Sequence, residues 1–214
     1  LGDHLDTIEK LASLGPEHVS AYSLILEENT PLYTDVAGGA QSLPGEDAAY
    51  EMHRQGIALL ERLGYRRYEI SNFARPGRES RHNLNYWNNG EYLGLGLNAH
   101  SAMRIAGKWT RWSNAAGLSD YIQACGGGER PLAGEPQAIP PAEEMFETVM
   151  LGLRKTEGVS EAAFRARFKK HMGEVFPQAI ARLEQKGWLV GEGGFFRLTE
   201  EGLDFQNRAL LEML

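Results

Sequence analysis

The sequence predicts an α/β protein in which a parallel sheet or barrel is followed by a small winged-helix-like α+β domain. Two observations support this. Helix and strand patterns alternate along the first 71 residues, as they do where helices connect parallel strands. Beyond Pro141, helical patterns precede two short β-prone runs and a last helix, which is the winged-helix order. The chain has 214 residues, enough for one large domain or two small ones.

Apolar periodicity justifies each element of the first region. Residues 3–14 place their apolar side chains on one helical face, and a Gly-Pro pair ends that helix. The apolar run 19–26 predicts a buried parallel strand, and 27–46 predicts a loop because it contains several Gly and Pro residues. Residues 49–63 predict a second helix, and 65–71 predict a second strand.

The middle of the chain predicts shorter elements. Residues 92–97 predict a strand whose two glycines allow close approach of a ligand or of neighbouring backbone. Residues 102–105 and 108–112 predict a hairpin around Ala-Gly, and 118–125 predict a short helix. The Gly- and Pro-rich segment 126–141 predicts a linker. The expected domains are therefore 1–125 and 142–214.

The last region predicts helices, a hairpin and a final helix. Residues 142–155 form the first predicted helix, and Ser160 is the expected N-cap of the second. A third helix is expected over 174–186, followed by a hairpin over 188–198 and a helix capped by Thr199.

Composition excludes several classes of protein. The net charge of −7 argues against a general binder of nucleic acid or anionic membranes. No apolar run approaches the ~18 residues of a membrane span, and no signal peptide opens the chain, so we expect a cytoplasmic protein. The single Cys125 excludes an internal disulfide and a multi-cysteine metal site, and we expect a free, partly buried thiol.

Residues 82–87, His-Asn-Leu-Asn-Tyr-Trp, are the strongest candidate site. An imidazole, two amides, a phenol and an indole in one hexapeptide are costly to bury and too aromatic for an ordinary solvated loop. A neutral imidazole is a common ligand of haem iron, so His82 is the candidate axial ligand, with Tyr86 and Trp87 stacked on the porphyrin. The alternative is a histidine that caps a loop through hydrogen bonds.

Basic residues concentrate around this hexapeptide. Between residues 65 and 112 there are eight basic and three acidic residues, a net of +5. The basic ones are Arg66, Arg67, Arg75, Arg78, Arg81, Arg104, Lys108 and Arg111. Such a cluster can attract the propionates of a haem or the carboxylates of a porphyrinogen. The alternative is that these side chains pair with acidic residues elsewhere on the surface.

Three segments together carry a family resemblance. They are residues 68–77 (Tyr-Glu-Ile-Ser-Asn-Phe-Ala-Arg-Pro-Gly), the hexapeptide, and residues 91–101 (Glu-Tyr-Leu-Gly-Leu-Gly-Leu-Asn-Ala-His-Ser). This run resembles the radical-SAM haem chaperone (HemW) family, a close relative of oxygen-independent coproporphyrinogen III oxidase. The resemblance covers most of the chain but not the family's whole length. It implies the carboxy-terminal half of a partial radical-SAM (β/α) barrel followed by the accessory domain.

The resemblance also implies roles for individual residues. In these chaperones a His-Asn-x-x-Tyr-Trp motif is associated with haem binding, and its four fixed positions match His82, Asn83, Tyr86 and Trp87. The family more usually has Gly at the position of Asn98.

The family's S-adenosylmethionine pocket would be bordered by the strand end near residue 97, and alignment implies that Ile25 and His100 face it. A core residue and a hydrogen-bonded loop histidine are the respective alternatives. A [4Fe–4S] cluster needs a three-cysteine loop that this sequence lacks, so the cluster and S-adenosylmethionine are expected in the full-length protein only.

Three functions follow, in order of preference. The first is a fragment of a haem chaperone that binds haem and transfers it to an acceptor protein. The second is the oxidase, which decarboxylates coproporphyrinogen III by radical chemistry but lacks the hexapeptide. The third is a winged-helix DNA-binding module, disfavoured because residues 141–214 carry ten basic and twelve acidic residues. Within the expected reading helix only Arg182 and Lys186 are cationic.

A half barrel leaves strand edges open. Unpaired edges are covered in folded proteins by other segments or by other chains. We therefore also expect partner chains or domain exchange, including a homo-oligomer.

Overall fold

The structure, a computed structural model, describes residues 1–213 and contains two compact units, one from Leu1 to Ser80 and one from Arg81 onward. Each unit has its own helices and sheets. None of the helices among the described residues has the length and apolar character needed to cross a bilayer.

The first unit packs three helices against a small sheet. Its elements in order are α1 (Gly2–Ser13), β1 (His18–Ser20), α2 (Pro31–Ala37), α3 (Glu46–Arg62), β2 (Arg66–Arg67) and β3 (Asn72–Ala74). The strand order is β1-β3-β2 and both pairings are antiparallel. The buried apolar core consists of Ile8, Val19, Leu59, Leu60, Tyr65 and Phe73. The two amphipathic helices predicted at 3–14 and 49–63 are confirmed.

The predicted parallel strands of this unit are wrong. The strand expected over 19–26 ends at Ser20, and Tyr22, Leu24 and Ile25 beyond it are 62–76% exposed. The strand expected over 65–71 is instead the two-residue strand β2 followed by a turn that leads into β3. Arg67 causes that reversal, because its guanidinium donates to the backbone carbonyls of residues 69 and 70.

The segment 27–46, predicted as a loop, contains α2. Thr30 caps this helix by accepting a hydrogen bond from the Tyr33 amide over 3.2 Å, and Pro31 occupies its first position. A capping threonine followed by proline is a helix start signal that outweighs the surrounding glycines.

The second unit begins with α4 (Arg81–Trp87) and a three-stranded sheet. The next elements are β4 (His100–Ile105), β5 (Lys108–Ser113), α5 (Leu118–Gly126) and β6 (Gln137–Ala138). The predicted hairpin is confirmed, with Ala106 and Gly107 both at positive φ in the two-residue turn. β6 pairs with β5 inside the segment predicted as a linker.

Residues 92–97 form a single antiparallel bridge at Tyr92 rather than the predicted strand. Side chains take the hydrogen bonds that a neighbouring strand would supply. Asn114 donates to the carbonyls of Gly94 and Gly96, and the Gly96 amide donates to the Tyr121 hydroxyl.

The remainder of the unit surrounds a second core. Its elements are α6 (Pro141–Gly152), β7 (Val159–Ser160), α7 (Glu161–Phe168), α8 (Met172–Val175), α9 (Pro177–Gln185), β8 (Leu189–Glu192), β9 (Phe195–Leu198), α10 (Glu200–Asp204) and α11 (Gln206–Leu211). The strand order is β7-β9-β8. Val149, Leu153, Phe164 and Leu183 are among the fully buried side chains.

Local signals in this region are confirmed with two corrections. Ser160 and Thr199 cap their helices through side-chain oxygens, as predicted. The single helix expected over 174–186 is two helices, α8 and α9, because Pro177 cannot continue α8. Cys125 is free but exposed rather than partly buried.

Candidate functional site

Helix α4 carries the hexapeptide and presents one of its residues to solvent. His82 and Tyr86 are one helical turn apart, and their rings meet edge to face with centroids 4.8 Å apart. Tyr86 in turn meets the Tyr92 ring at 4.8 Å. The His82 side chain is exposed and forms no hydrogen bond or ion pair with any residue from 1 to 213. Its ring nitrogens are therefore available to a ligand.

Trp87 and Asn83 lie elsewhere on α4. Each residue advances the helix by 100°, so Trp87 points about 100° away from Tyr86 and shares a side with Asn83. Both are half-buried. The Arg154 guanidinium lies 5.0 Å above the Trp87 ring, and within the described chain the buried indole Nε1 has no hydrogen-bond partner. The structure thus separates the exposed His82, in contact with the half-buried Tyr86, from the anchored Trp87.

The residues that follow α4 are held by the carboxy-terminal helices. Asn88 Oδ1 accepts a hydrogen bond from Lys155 Nζ over 2.6 Å. Asn89 is buried, and its side-chain amide donates to Thr148 Oγ1 over 3.0 Å. The backbone carbonyl of Asn89 accepts from Arg167 Nη1 over 2.7 Å. Burial lowers the pKa of the Lys155 ammonium.

Gly90 closes the turn after α4. Its amide donates to the Asn85 carbonyl over 2.8 Å, and the Asn85 side chain donates to the Glu91 carbonyl over 3.0 Å. A Cβ at position 90 would lie 2.9 Å from the Asn85 carbonyl oxygen, closer than real Cβ atoms come. Only glycine fits this turn without displacing the end of α4.

The predicted anion-binding patch is wrong for Arg104 and Arg111. Arg104 and Arg167 both donate to the same oxygen of Glu144, with Arg167 Nε at 2.7 Å. Arg111 donates two hydrogen bonds to Glu147. Both glutamates belong to α6, outside the basic segment 65–112. The alternative interpretation, in which these arginines pair with acidic residues elsewhere in the chain, therefore holds for Arg104 and Arg111.

Three arginines of the first unit also have structural partners. They are Arg67 on backbone carbonyls, Arg75 over the Tyr65 ring at 4.9 Å, and Arg78 with Glu17 at 3.3 Å. Arg81, directly before His82, is exposed, and the described chain offers it no ion-pair partner. It is the residue of the predicted basic cluster that directly precedes the imidazole in the chain.

An apolar surface follows the aromatic pair. Tyr92 is half-buried, and burial raises the pKa of its phenol, opposed by the neighbouring Arg111. The next three leucines, Leu93, Leu95 and Leu97, are 62%, 83% and 44% exposed. Exposed leucines at three alternate positions are unusual and are typical of a surface that another apolar group covers.

Ile25 and His100, the residues predicted to face S-adenosylmethionine, belong to different compact units. Ile25 is 76% exposed and lies outside any strand, so it is not a core residue of the first unit. His100 is exposed at the start of β4. Asn98 has φ of 52°, a left-handed conformation that asparagine tolerates and that is compatible with the glycine expected at this position from the resemblance.

The sequence did not lead us to the residues of α6 and α7 that hold the segment after the hexapeptide, Thr148 and Arg167. The sequence feature that could have indicated them is the presence of acidic residues within an apolar helix. Glu144 and Glu147 are buried, as are Met145 and Val149 of the same helix. Acidic residues at core positions indicate buried partners of opposite charge. Lys155 gave no comparable signal, because lysines near helix ends are common on surfaces.

Comparison with known proteins decides the family. The HemN C-terminal domain family matches residues 139–205. "Heme chaperone HemW" of Bacillus subtilis is 36% identical over 200 residues, which cover 93% of this chain and 52% of that protein. The chain belongs to the HemW/HemN family and corresponds to its carboxy-terminal portion. Within the family, the "radical S-adenosyl methionine domain-containing protein 1, mitochondrial" of Bos taurus is 33% identical over 227 residues, 100% of this chain and 50% of that protein.

A solved structure shares the fold. The chain superposes on coproporphyrinogen III oxidase (HemN) from Escherichia coli, a radical SAM enzyme, with a TM-score of 0.70 over 97% of this chain and 50% of that one. Sequence identity is 17%, so this HemN likeness shows the mixed α/β fold alone. The chain spans about half the length of the curated HemW relatives it matches. Among residues 1–213, no three His, Cys, Asp or Glu side chains are grouped as a metal site.

Proposed function

We propose that this chain is the carboxy-terminal portion of a haem chaperone that binds haem through His82 and passes it to an acceptor protein. The observation that carries the proposal is the exposed His82 imidazole, which contacts Tyr86 and has no hydrogen-bond partner in the described chain. A neutral imidazole with a free nitrogen is the group that haem iron takes as an axial ligand. The relatives named heme chaperones support the same function.

Residues of α4 and of the segment that follows it fit a haem in three respects. The imidazole can ligate the iron. Tyr86 and the exposed Leu93 and Leu95 offer apolar contact to a macrocycle, and Arg81 offers a cation to a propionate. Haem, when bound, would supply an iron centre with an axial position for the imidazole. In this proposal Trp87 anchors α4 rather than stacking on the porphyrin.

Features of the whole protein belong to the proposal as well. The longer protein would hold the [4Fe–4S] cluster and S-adenosylmethionine, since this chain has one cysteine and cannot provide three thiolates. We further propose that residues 1–125 belong to the radical-SAM domain of that longer protein, with Ile25 and His100 toward the S-adenosylmethionine. Residues 142–214 would be the winged-helix-like accessory domain. We propose a cytoplasmic protein that forms a homo-oligomer where strand edges stay open.

The two alternatives have weaker support. Oxidase activity rests on a shared fold, and one fold supports many activities. The DNA-binding alternative requires free cations on α9. Arg182 Nε lies 2.9 Å from the Glu212 carboxylate, and Lys186 pairs with the same group. Hydrogen bonds from these two cations lower the pKa of the Glu212 carboxyl. Paired cations are poorly suited to contact phosphates.

A haemin titration of the purified full-length protein tests the proposal. We expect a Soret band of ligated haem in the wild type and a weakened, shifted band in His82→Ala. His171→Ala is the matched control, because it removes an exposed imidazole that pairs with Glu161 elsewhere in the second unit. Equal spectra and equal affinities for the wild type and His82→Ala would overturn the assignment. Production of protoporphyrinogen from coproporphyrinogen III under anaerobic reducing conditions would favour the oxidase.

A further inference from the structure

The direction of His82 depends on how α4 is held. The helix has seven residues, too few to be stable in isolation. No hydrogen bond of its own fixes the His82 ring within the described chain. The direction of the helix therefore depends on its contacts with neighbouring residues, among them the contacts of Trp87 and Asn88 with the residues that follow α6.

Lys155 is the most constrained of these residues. It is 7% exposed, and its ammonium donates to the side-chain oxygen of Asn88. No carboxylate of the described chain lies within ion-pair distance of it. Glu157 attracts the ammonium without forming a direct ion pair, so the hydrogen bond to Asn88 is the direct contact that offsets the cost of burying this charge. Whatever fixes Lys155 consequently fixes Asn88.

Arg154 acts on the adjacent residue of α4. Its guanidinium stacks on the Trp87 indole at 5.0 Å, and its Nε is buried without a hydrogen-bond partner among residues 1–213. The guanidinium is thus held by the aromatic face rather than by a carboxylate. Arg154 and Lys155, which follow α6, therefore contact Trp87 and Asn88 at the end of α4.

We propose that Arg154 and Lys155 are positioning residues for His82: by holding Trp87 and Asn88, they set the direction of α4 and make haem affinity depend on the carboxy-terminal helices. This inference rests on the proposed function. The helix rises about 7.5 Å between residues 87 and 82 at about 1.5 Å per residue. A tilt of about 20° at the held end would move His82 by about 2.6 Å, more than an iron–nitrogen bond length.

The test is haemin titration of the full-length protein with Lys155→Met. Residues that orient a metal ligand typically change affinity about 10- to 100-fold, so we expect at least a tenfold weaker Kd and a loss of the histidine-ligated Soret signature. Lys186→Met is the matched control, since that lysine stacks on Trp188 and is remote in sequence from α4. Its Kd should equal that of the wild type.

A double-mutant cycle separates positioning from a general loss of structure. If Lys155 acts through His82, adding Lys155→Met to His82→Ala should cause no further loss of affinity. Asn88→Ala removes the same hydrogen bond by changing an exposed residue. This variant therefore tests the positioning role even if Lys155→Met does not fold. We expect it to weaken haemin binding to the same degree.

The outcomes distinguish the two levels of the proposal. If wild type and His82→Ala bind haemin alike, the proposed function fails. If His82→Ala weakens binding while folded Lys155→Met and Asn88→Ala bind as the wild type does, haem ligation stands and the positioning inference is overturned. If Lys155→Met lowers haemin affinity by the same factor in the wild type and in His82→Ala, the positioning inference is also overturned.

Discussion

Arg111 and Glu147 form a two-bond ion pair that joins strand β5 to helix α6. Arg111 Nη1 lies 2.6 Å from Glu147 Oε1, and Nη2 donates to the other carboxylate oxygen. The Glu147 side chain is 11% exposed, and its hydrogen bonds raise the pKa of the Arg111 guanidinium. The pair fastens the hairpin to the carboxy-terminal helices that also hold α4, so it stabilises the frame of the candidate site.

Removing Glu147 should destabilise the protein through the charge that it leaves behind. In Glu147→Ala the half-buried Arg111 guanidinium loses its partner, and we expect a loss of about 1–3 kcal/mol, less than for a fully buried pair because Arg111 is partly solvated. Urea unfolding measures the change. Glu192→Ala is the control, since its exposed pair with Arg197 should contribute about 0–1 kcal/mol. Equal effects of the two variants would contradict this role.

Elements with local signals could be predicted from the sequence. The hairpin turn at Ala106 and Gly107 and the caps at Ser160 and Thr199 depend on residues within a few positions of one another, and all were found. The partners of Arg104 and Arg111 could not be predicted. Their glutamates lie 40 and 36 positions away, and nothing local indicates which charges the fold brings together.

The prediction of the strands in the first unit was wrong for a related reason. The apolar run 19–26 fits a buried strand by composition, yet the strand ends at Ser20, and Tyr22, Leu24 and Ile25 beyond it are exposed. The hexapeptide shows the complementary case. Its residue types predicted a site and the structure exposes His82, but the anchoring role of Trp87 depends on Arg154, 67 positions away.

Gly90 should be intolerant of any side chain. A methyl group in Gly90→Ala would press on the Asn85 carbonyl, and we expect a loss of about 1–3 kcal/mol in the free energy of unfolding together with weaker haemin binding. Gly173→Ala is the matched control, because its Cβ would meet no atom within 4 Å in helix α8. That variant should be neutral or stabilised by about 0.5–1 kcal/mol. A stable Gly90→Ala would show that the turn adapts.

Tyr92 should ionise at higher pH than a solvated tyrosine. Burial raises its pKa above the usual value of about 10, so the folded state keeps the proton after the unfolded state has begun to lose it. The stabilising contribution is therefore present below pH 10 and is lost as pH rises through the folded pKa. The difference in phenolate absorbance between wild type and Tyr92→Phe measures this titration. The difference curve should move to lower pH in concentrated urea, and an unmoved curve would contradict the prediction.

Chemical rescue tests the central claim most directly. The full-length His82→Gly variant should bind haemin weakly, and free imidazole should restore the wild-type Soret band, because the side chain at this position is exposed and its nitrogens are unbonded within the described chain. The same imidazole should leave the wild-type spectrum unchanged at concentrations that saturate the rescue. If His82→Gly binds haemin with the wild-type spectrum before imidazole is added, His82 is not the iron ligand.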